Sequence, residues 1–267
     1  MSLSTDRFDT FRQLHHQDDP LLLPNAWDYA SAAALAAGGF QAIGTTSLGV
    51  AAASGKPDAT GDTRDETLAL ARGISGLGLV TVDVEGGFSD RPEAVADLAA
   101  ELAGMGIVGV NIEDGRPDRS LAPVDQQREL IAAVTQRVPE LFVNARVDTY
   151  WLSGEQASLA ETIGRAEAYT AAGAAGIFVP YATDDTTIAT LVDALDLPLN
   201  VLFTPGRHTY RRLAELGVQR VSCGSLLFRA ALHTAVRTAS AIREGGPVEA
   251  AGIPSYAEVQ ALATSPR

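Results

Sequence analysis

Short apolar segments alternate with longer amphipathic segments eight times along this chain of 267 residues. The apolar segments have the character of buried parallel strands, and the segments between them carry helix caps and glycine stops. The predicted strands cover residues 21–23, 41–45, 79–84, 108–112, 141–145, 176–179, 199–202 and 218–221. The predicted helices cover residues 27–37, 63–77, 91–103, 123–137, 159–172, 184–195, 209–216 and 225–243.

A strand followed by a helix, repeated eight times, predicts an α/β fold of the (β/α)8 TIM-barrel type. The length suits one large domain, so residues 1–267 are predicted to form a single barrel domain. An extra helix is expected before the first strand, around residues 5–15, and one or more after the last helix of the barrel. An open doubly wound sheet is the alternative, but no GxGxxG turn follows the first strand.

Composition narrows the function classes. No apolar run reaches the ~20 residues of a membrane span, and the N-terminal MSLSTDRFDTFRQ is polar, which predicts a soluble, cytoplasmic protein without a membrane partner. A single cysteine, Cys223, excludes an internal disulfide and a cysteine-based zinc site. A formal charge of -13 without a cluster of arginines argues against nucleic acid as a partner.

Charged and polar residues are concentrated where the predicted strands end. The third strand runs into Asp83 and Glu85, the fourth into Glu113, the fifth into Arg146, and the seventh carries Asn200. In such barrels the chemistry lies at the carboxyl ends of the strands, which meet at one mouth. By the two-residue period of a strand, Asp83 and Glu85 are predicted to share one face.

Several carboxylates at one barrel mouth would repel one another unless a cation neutralised them. Mg²⁺ takes oxygen ligands and keeps several waters, and the absence of accompanying His or Cys argues against zinc. The alternative is that the acids cap helices or pair with arginines on the rim. Arg146, likewise, either forms a structural ion pair or binds a substrate carboxylate or phosphonate in bidentate fashion.

Four segments stand in a recognisable order: LPNAWDYASAAALAAGGFQAIGTTSLGVAAASGKPD, VTVDVEGGF, GVNIEDG and NARVDTYW. Together they resemble the isocitrate lyase / phosphoenolpyruvate mutase superfamily, in its carboxyvinyl-carboxyphosphonate phosphonomutase-like or methylisocitrate lyase-like branch. The resemblance extends from about residue 22 to about residue 224. It implies a modified (β/α)8 barrel whose C-terminal helix is swapped between the subunits of a homodimer or homotetramer.

The resemblance also implies Mg²⁺, with Mn²⁺ as the alternative ion, holding a 2-oxo acid or its enolate. By motif, Asp83 contacts the metal, and Glu85, Glu113 and Asp58 reach it through water. The implied metal-site residues are therefore Asp83, Glu85 and Glu113. The implied catalytic residues are Arg146, Asp58 and Glu113. The predicted substrate-binding residues are Thr46, Ser47, Leu48, Asp83, Arg146 and Asn200.

One segment departs from the superfamily pattern. Isocitrate and methylisocitrate lyases carry a Lys-Lys-Cys-Gly-His loop after the fourth strand, whereas this chain has EDGRPDRSLAP. The Lys and Asn expected there in phosphoenolpyruvate mutases and phosphonopyruvate hydrolases are also missing, and Arg116 and Arg119 are the only cations of the segment. Tyr181, after the sixth strand, is a candidate proton donor in their place.

The sequence thus predicts a Mg²⁺-dependent lyase that forms or cleaves a carbon-carbon bond next to a 2-oxo acid, with an isocitrate- or methylisocitrate-like substrate. Two alternatives stay open within enzymes: an oxaloacetate-type hydrolase or decarboxylase, and a phosphonomutase. A third alternative is a barrel of low activity that binds a 2-oxo acid such as 2-oxoglutarate. The missing loop residues favour this third alternative, and the complete set of metal and arginine positions opposes it.

Overall fold

Nine parallel strands form the barrel in the computed structural model, which describes residues 3–264. The strands are β1 Leu21–Leu23, β2 Asn25–Ala26, β3 Ala42–Thr45, β4 Leu79–Asp83, β5 Gly109–Glu113, β6 Phe142–Arg146, β7 Gly176–Val179, β8 Leu199–Leu202 and β9 Arg220–Ser222. Their order in the sheet is β1-β9-β8-β7-β6-β5-β4-β3-β2. The predicted TIM-type barrel is confirmed, with strand ends shifted by one or two residues.

The first barrel strand is divided in two at Pro24. β1 pairs with β9 and β2 pairs with β3, so the sheet closes through the single segment 21–26. Proline has no N–H to donate to a strand ladder. The Asn25 side chain bridges the interruption: its Nδ2 donates to the Thr45 carbonyl at 2.8 Å, and its Oδ1 accepts from the Cys223 and Gly224 N–H groups at 3.0 and 2.8 Å.

Helices surround the barrel. They are α1 Leu3–Gln13, α2 Tyr29–Ala37, α3 Ser47–Ala53, α4 Arg64–Ile74, α5 Pro92–Gly104, α6 Val124–Arg137, α7 Thr149–Ser153, α8 Leu159–Ala171, α9 Asp185–Ala194, α10 Tyr210–Glu215, α11 Leu226–Arg243 and α12 Tyr256–Thr264. Helix α1 precedes the first strand, and α12 follows the last helix of the barrel. The short helices α3 and α7, which directly follow β3 and β6, were not predicted. Between residues 3 and 264, no helix combines the length and the apolar character that a membrane crossing requires.

The strands are apolar on their outer face and change character along their inner face. Outward residues such as Val80, Val110 and Val143 belong to the core between the strands and the helices. Inside, a second apolar cluster fills the amino end of the barrel, where Phe11 of α1 packs with Leu23 and Phe142. Helix α1 therefore closes this end, and polar inward side chains are left to the carboxyl end.

Candidate active site

Asp83, the last residue of β4, lies at the centre of the polar mouth. Its N–H donates to Thr45 Oγ1 at 2.9 Å, and its Oδ1 accepts from the Glu85 N–H at 3.2 Å. Burial raises the pKa of Asp83 to about 6; the nearby Arg146 lowers it and Asp58 raises it further. A cation bound beside a buried carboxylate of this kind stabilises its ionised form.

The position of Glu85 differs from the prediction that it shares a strand face with Asp83. Because β4 ends at Asp83 and Glu85 has a φ of 51°, the two acids do not share a strand face, and the period-two prediction is wrong. The Glu85 carboxylate accepts from Thr63 Oγ1 at 2.5 Å and from the Gly61 N–H at 2.9 Å. It thereby anchors the segment between α3 and α4, which carries Asp58.

Glu113 and Arg146 face each other across neighbouring strands. Arg146 Nη1 lies 2.6 Å from Glu113 Oε2, and Arg146 Nε donates to Asp148 Oδ1 at 2.7 Å. Burial raises the pKa of Glu113 well above its usual value, although Arg146 lowers it. Burial alone would lower the pKa of Arg146, but Asp148 and Glu113 raise it, so the guanidinium stays charged.

Aromatic rings flank this guanidinium. Arg146 Cζ lies 5.2 Å from the centre of the Trp151 ring and 5.8 Å from that of Phe178. The Tyr181 ring is 4.8 Å from that of Trp151, and Tyr181 has a φ of 64°. The rings limit the motion of Arg146 and shield it from water.

Asp114, next to Glu113 in sequence, does not belong to the mouth. It is fully buried, and its Oδ2 accepts from Tyr169 Oη at 2.7 Å and from Arg165 Nη1 at 3.2 Å. Its Oδ1 accepts from the Asp148 N–H at 2.8 Å. Asp114 thus fixes the backbone of Asp148, which in turn holds Arg146.

A cavity of about 110 Å³ opens between these groups. Seven of the predicted site residues line it, namely Thr46, Ser47, Leu48, Asp58, Asp83, Glu113 and Arg146. Two predicted residues do not line it: Glu85 lines an adjacent cavity of about 290 Å³, and Asn200 is buried inside the barrel. Among the lining residues that the prediction missed are Asn111, Trp151, Phe178 and Ser222. Asn111 could have been found, because it is the inward position two residues before Glu113.

The segment that lacks the superfamily's catalytic residues borders the adjacent cavity. Arg116 lines it, but its Nη1 donates to the Gly115 carbonyl at 3.2 Å and its Nη2 to Gln127 Oε1 at 3.2 Å. Arg119 has a φ of 65° in the same turn. The guanidinium of Arg116 is therefore hydrogen-bonded to its own loop and to helix α6.

The donors at the mouth fit a hard divalent cation that keeps part of its water shell. Residues 3–264 hold no group of three or more His, Cys, Asp or Glu side chains that could enclose a metal by themselves. Asp58 Oδ1 is nonetheless buried without a hydrogen-bond partner in the described part of the chain, and it raises the pKa of Asp83. One or two carboxylates plus waters are the usual ligands of Mg²⁺.

Comparisons with known proteins show which family the chain is similar to. The model of the family described as phosphoenolpyruvate phosphomutase matches residues 11–243. The uncharacterized protein Rv1998c of Mycobacterium tuberculosis is 46% identical over 253 residues, which cover 94% of this chain and 95% of that protein. A crystal structure from Burkholderia cenocepacia J2315, described as a lyase or mutase, is 33% identical with a TM-score of 0.89 and covers 99% of this chain and 98% of its own.

A more distant structure shares the fold. Phosphonopyruvate hydrolase, crystallised with oxalate and Mg²⁺, is 23% identical with a TM-score of 0.84, and the match covers 97% of this chain and 95% of the hydrolase chain.

Proposed function

Because the chain belongs to the phosphoenolpyruvate phosphomutase family, we propose that it is a Mg²⁺-dependent enzyme that forms or cleaves a carbon-carbon bond next to a 2-oxo acid. The wider superfamily includes lyases, mutases and hydrolases that act on carbon-carbon or carbon-phosphorus bonds of such acids. The observation that carries the proposal is the cavity in which Asp58, Asp83 and Glu113 converge on Arg146.

Asp83 is the proposed direct ligand of Mg²⁺, with Mn²⁺ as the alternative ion. Asp58 and Glu113 are the proposed outer ligands that act through water, and Asp58 has an unpartnered buried oxygen. Glu85 stays a predicted outer ligand, although both of its oxygens already accept hydrogen bonds. When bound, the cation supplies stabilisation of negative charge that develops on the 2-oxo oxygen.

Arg146 is the proposed ligand of the substrate oxygens. Its orientation is set before substrate binds, because Glu113 and Asp148 hold two of its nitrogens. Preorganised donors stabilise developing charge without reorganising during the reaction. Thr46 and the N–H groups of Ser47 and Leu48, at the start of α3, line the same cavity and are the proposed ligands of the substrate carboxylate.

A proton must be supplied to the enolate carbon after bond cleavage. The loop that supplies it in the lyases has no Lys, Cys or His here, and Arg116 is bound to its own loop. Tyr181 is the proposed donor, since it packs on Trp151 beside Arg146 in a left-handed backbone conformation. Such strained positions are concentrated at functional sites.

A second candidate is an oxaloacetate-type hydrolase or decarboxylase. The same absence of a Cys or His acid in EDGRPDRSLAP favours it, because water or a solvent proton then completes the step. The adjacent cavity of about 290 Å³, which shares Glu113 with the site, leaves room for that water.

We further propose a homodimer or homotetramer in which α11 exchanges between subunits. Apart from Phe228 near its start, this helix is mostly exposed, with Leu232 51% and Val236 68% accessible. An 18-residue helix with exposed apolar residues gains stability by packing on a second subunit. Light scattering of the purified protein tests this directly, since a monomer contradicts it.

A panel of substrates tests the proposed activity. Methylisocitrate, isocitrate, oxaloacetate, 2-hydroxy dicarboxylic acids and phosphonopyruvate are incubated with the protein, with and without Mg²⁺, and the products are identified. Mg²⁺-dependent cleavage of a carbon-carbon bond supports the lyase, and release of oxalate and acetate from oxaloacetate supports the hydrolase. Absence of both turnover and metal binding across the panel overturns the proposal.

A further inference from the structure

Six buried polar side chains lie inside the barrel just below the cavity. This polar cluster consists of Thr81, Asn111, Asn144, Asn200, Arg220 and Ser222, each at most 5% exposed. Its members occupy inward strand positions, and several of them precede a cavity residue by two positions, as Asn111 precedes Glu113 and Asn144 precedes Arg146. The cluster therefore separates the cavity from the apolar amino end of the barrel.

Arg220 fixes the orientation of the Asn111 amide. Asn111 Oδ1 accepts from Asn144 Nδ2 at 2.8 Å and from Arg220 Nη2 at 3.2 Å. A guanidinium can only donate, so the amide atom that faces Arg220 must be the oxygen. The Asn111 Nδ2 group is thereby left for the cavity, which Asn111 lines.

Ser222 supplies a second donor at the same place. It also lines the cavity, and its Oγ has no hydrogen-bond partner among residues 3–264. Ser222 follows Arg220 by two positions on β9, so both side chains point into the barrel. The floor of the cavity thus offers two hydrogen-bond donors from β5 and β9.

Among the described residues, no salt bridge neutralises the charge of Arg220 beneath this floor. Arg220 is fully buried, and its Nε and Nη1 have no hydrogen-bond partner in the described structure. Burial lowers the pKa of Arg220 to about 9, while Asp83 raises it, so the group is a cation at neutral pH. A buried charge without an opposite charge in contact costs stability, which indicates a role other than holding the fold.

We propose that Asn111 Nδ2 and Ser222 Oγ form a floor subsite for a carboxylate oxygen at the distal end of the substrate, with Arg220 as the positioning residue beneath them. The subsite rests on the proposed function, because Arg146 and the cation proposed at Asp83 would hold the other end of the same molecule. The substrate is accordingly a 2-oxo or 2-hydroxy dicarboxylic acid. A ligand with the same carbon chain but a methyl group at the distal end would leave the two buried donors, Asn111 Nδ2 and Ser222 Oγ, without an acceptor. Such an unsatisfied pair lowers the affinity for that ligand strongly.

Calorimetry with a matched pair of stable ligands tests the subsite. Malate and 2-hydroxybutanoate have the same four-carbon chain and differ in the distal group, carboxylate against methyl. In the presence of Mg²⁺ the parent protein is expected to bind malate at least about tenfold more tightly, a difference of about 1.4 kcal/mol. Asn111→Leu, Ser222→Ala and Arg220→Met are expected to reduce this ratio, with Asn111→Leu and Arg220→Met bringing it close to one.

Three controls separate the possible explanations. We expect oxalate, which has only two carbons, to bind at the Arg146 end alone, so its Kd should change less than twofold in these variants. Thr81→Val alters the polar cluster away from the cavity and should leave the ratio unchanged, and Arg220→Lys should restore part of it. Arg220→Met should unfold at the same temperature as the parent or higher, because it removes a buried unpaired charge; a purely structural role would lower that temperature and leave the ratio intact.

The outcomes are distinguishable. If the parent does not bind oxalate, the proposed function fails. If oxalate binds but malate is not preferred, or if the preference survives in Asn111→Leu and Arg220→Met, the floor subsite is overturned. Should one variant fail to fold, Ser222→Ala and Asn111→Leu provide independent tests of the same floor.

Discussion

Replacing Arg146 by methionine removes the cation that two buried carboxylates share. Glu113 and Asp148 are only 6% and 1% exposed and lie 2.6 and 2.7 Å from the guanidinium. Removing one member of a buried ion pair typically costs about 3–5 kcal/mol, because the remaining charge is left without a partner. For a domain of this size each kcal/mol lowers Tm by roughly 2–4 °C, so we expect a fall of roughly 6–20 °C.

The matched control is an ion pair with the same geometry at the surface. Arg128 Nη1 lies 2.8 Å from Asp125 Oδ1, but the two side chains are 48% and 84% exposed. An exposed pair contributes about 0–1 kcal/mol, so Arg128→Met should change Tm by less than about 4 °C. Thermal unfolding is followed by circular dichroism at pH 8 in EDTA. Equal losses in the two variants would refute the claim that burial makes the Arg146 cluster strong.

Three further predictions concern separate parts of the molecule. The pKa of His15 is lowered to about 3 by burial, and its charged form is further opposed by Arg220, so only the unfolded chain takes up the proton as the pH falls below 6.5. The stability that neutral His15 contributes above pH 6.5 is therefore lost at about 1.4 kcal/mol per pH unit down to about pH 3. Urea unfolding at pH 6.5 and at pH 5 measures this loss: between the two pH values, the free energy of unfolding of His15→Gln should fall by about 2 kcal/mol less than that of the parent. Glu85→Gln should lower the free energy of unfolding by about 1–3 kcal/mol, because the new NH2 group then faces one of the two donors, the Gly61 N–H or Thr63 Oγ1. Glu93→Gln, at an exposed position, should leave the free energy of unfolding unchanged, and equal effects of the two substitutions would contradict the anchoring role of Glu85. Tyr181→Phe should lower kcat by about 10²-fold or more and leave the Kd of oxalate within twofold; unchanged kcat would exclude the tyrosine as the proton donor.

The barrel could be predicted because its signal is local and repeated. Each strand carries its own apolar run and each helix its own stop, as at β4 and α5. The division of the first strand at Pro24 was not predicted, because it depends on both neighbouring strands: β9 on one side and β3 on the other. Only the closed barrel shows that the Asn25 amide bridges the two halves.

The site was predictable where strand position alone determines it. Asp83, Glu113 and Arg146 end their strands and line one cavity, as expected. Glu85 departs because the chain turns after Asp83, and a φ of 51° at a glutamate has no signature in the sequence. Arg220 could not be predicted as part of the site from the sequence, where QRVSCG shows only a charged residue before an apolar one. Only the folded barrel brings it to Asn111, which is 109 positions away in sequence.

Binding of Mg²⁺ to Asp83 is the central claim, and a calorimetric titration of Mg²⁺ in the presence of oxalate tests it most directly. We predict a single class of sites in the parent, at least about tenfold weaker binding in Asp83→Asn, and no change in Asp193→Asn, which alters an exposed acid of α9. Replacing one of a few carboxylate oxygens by an amide removes charge that a hard cation requires. Equal Mg²⁺ affinity in the parent and in Asp83→Asn would contradict the proposed metal site.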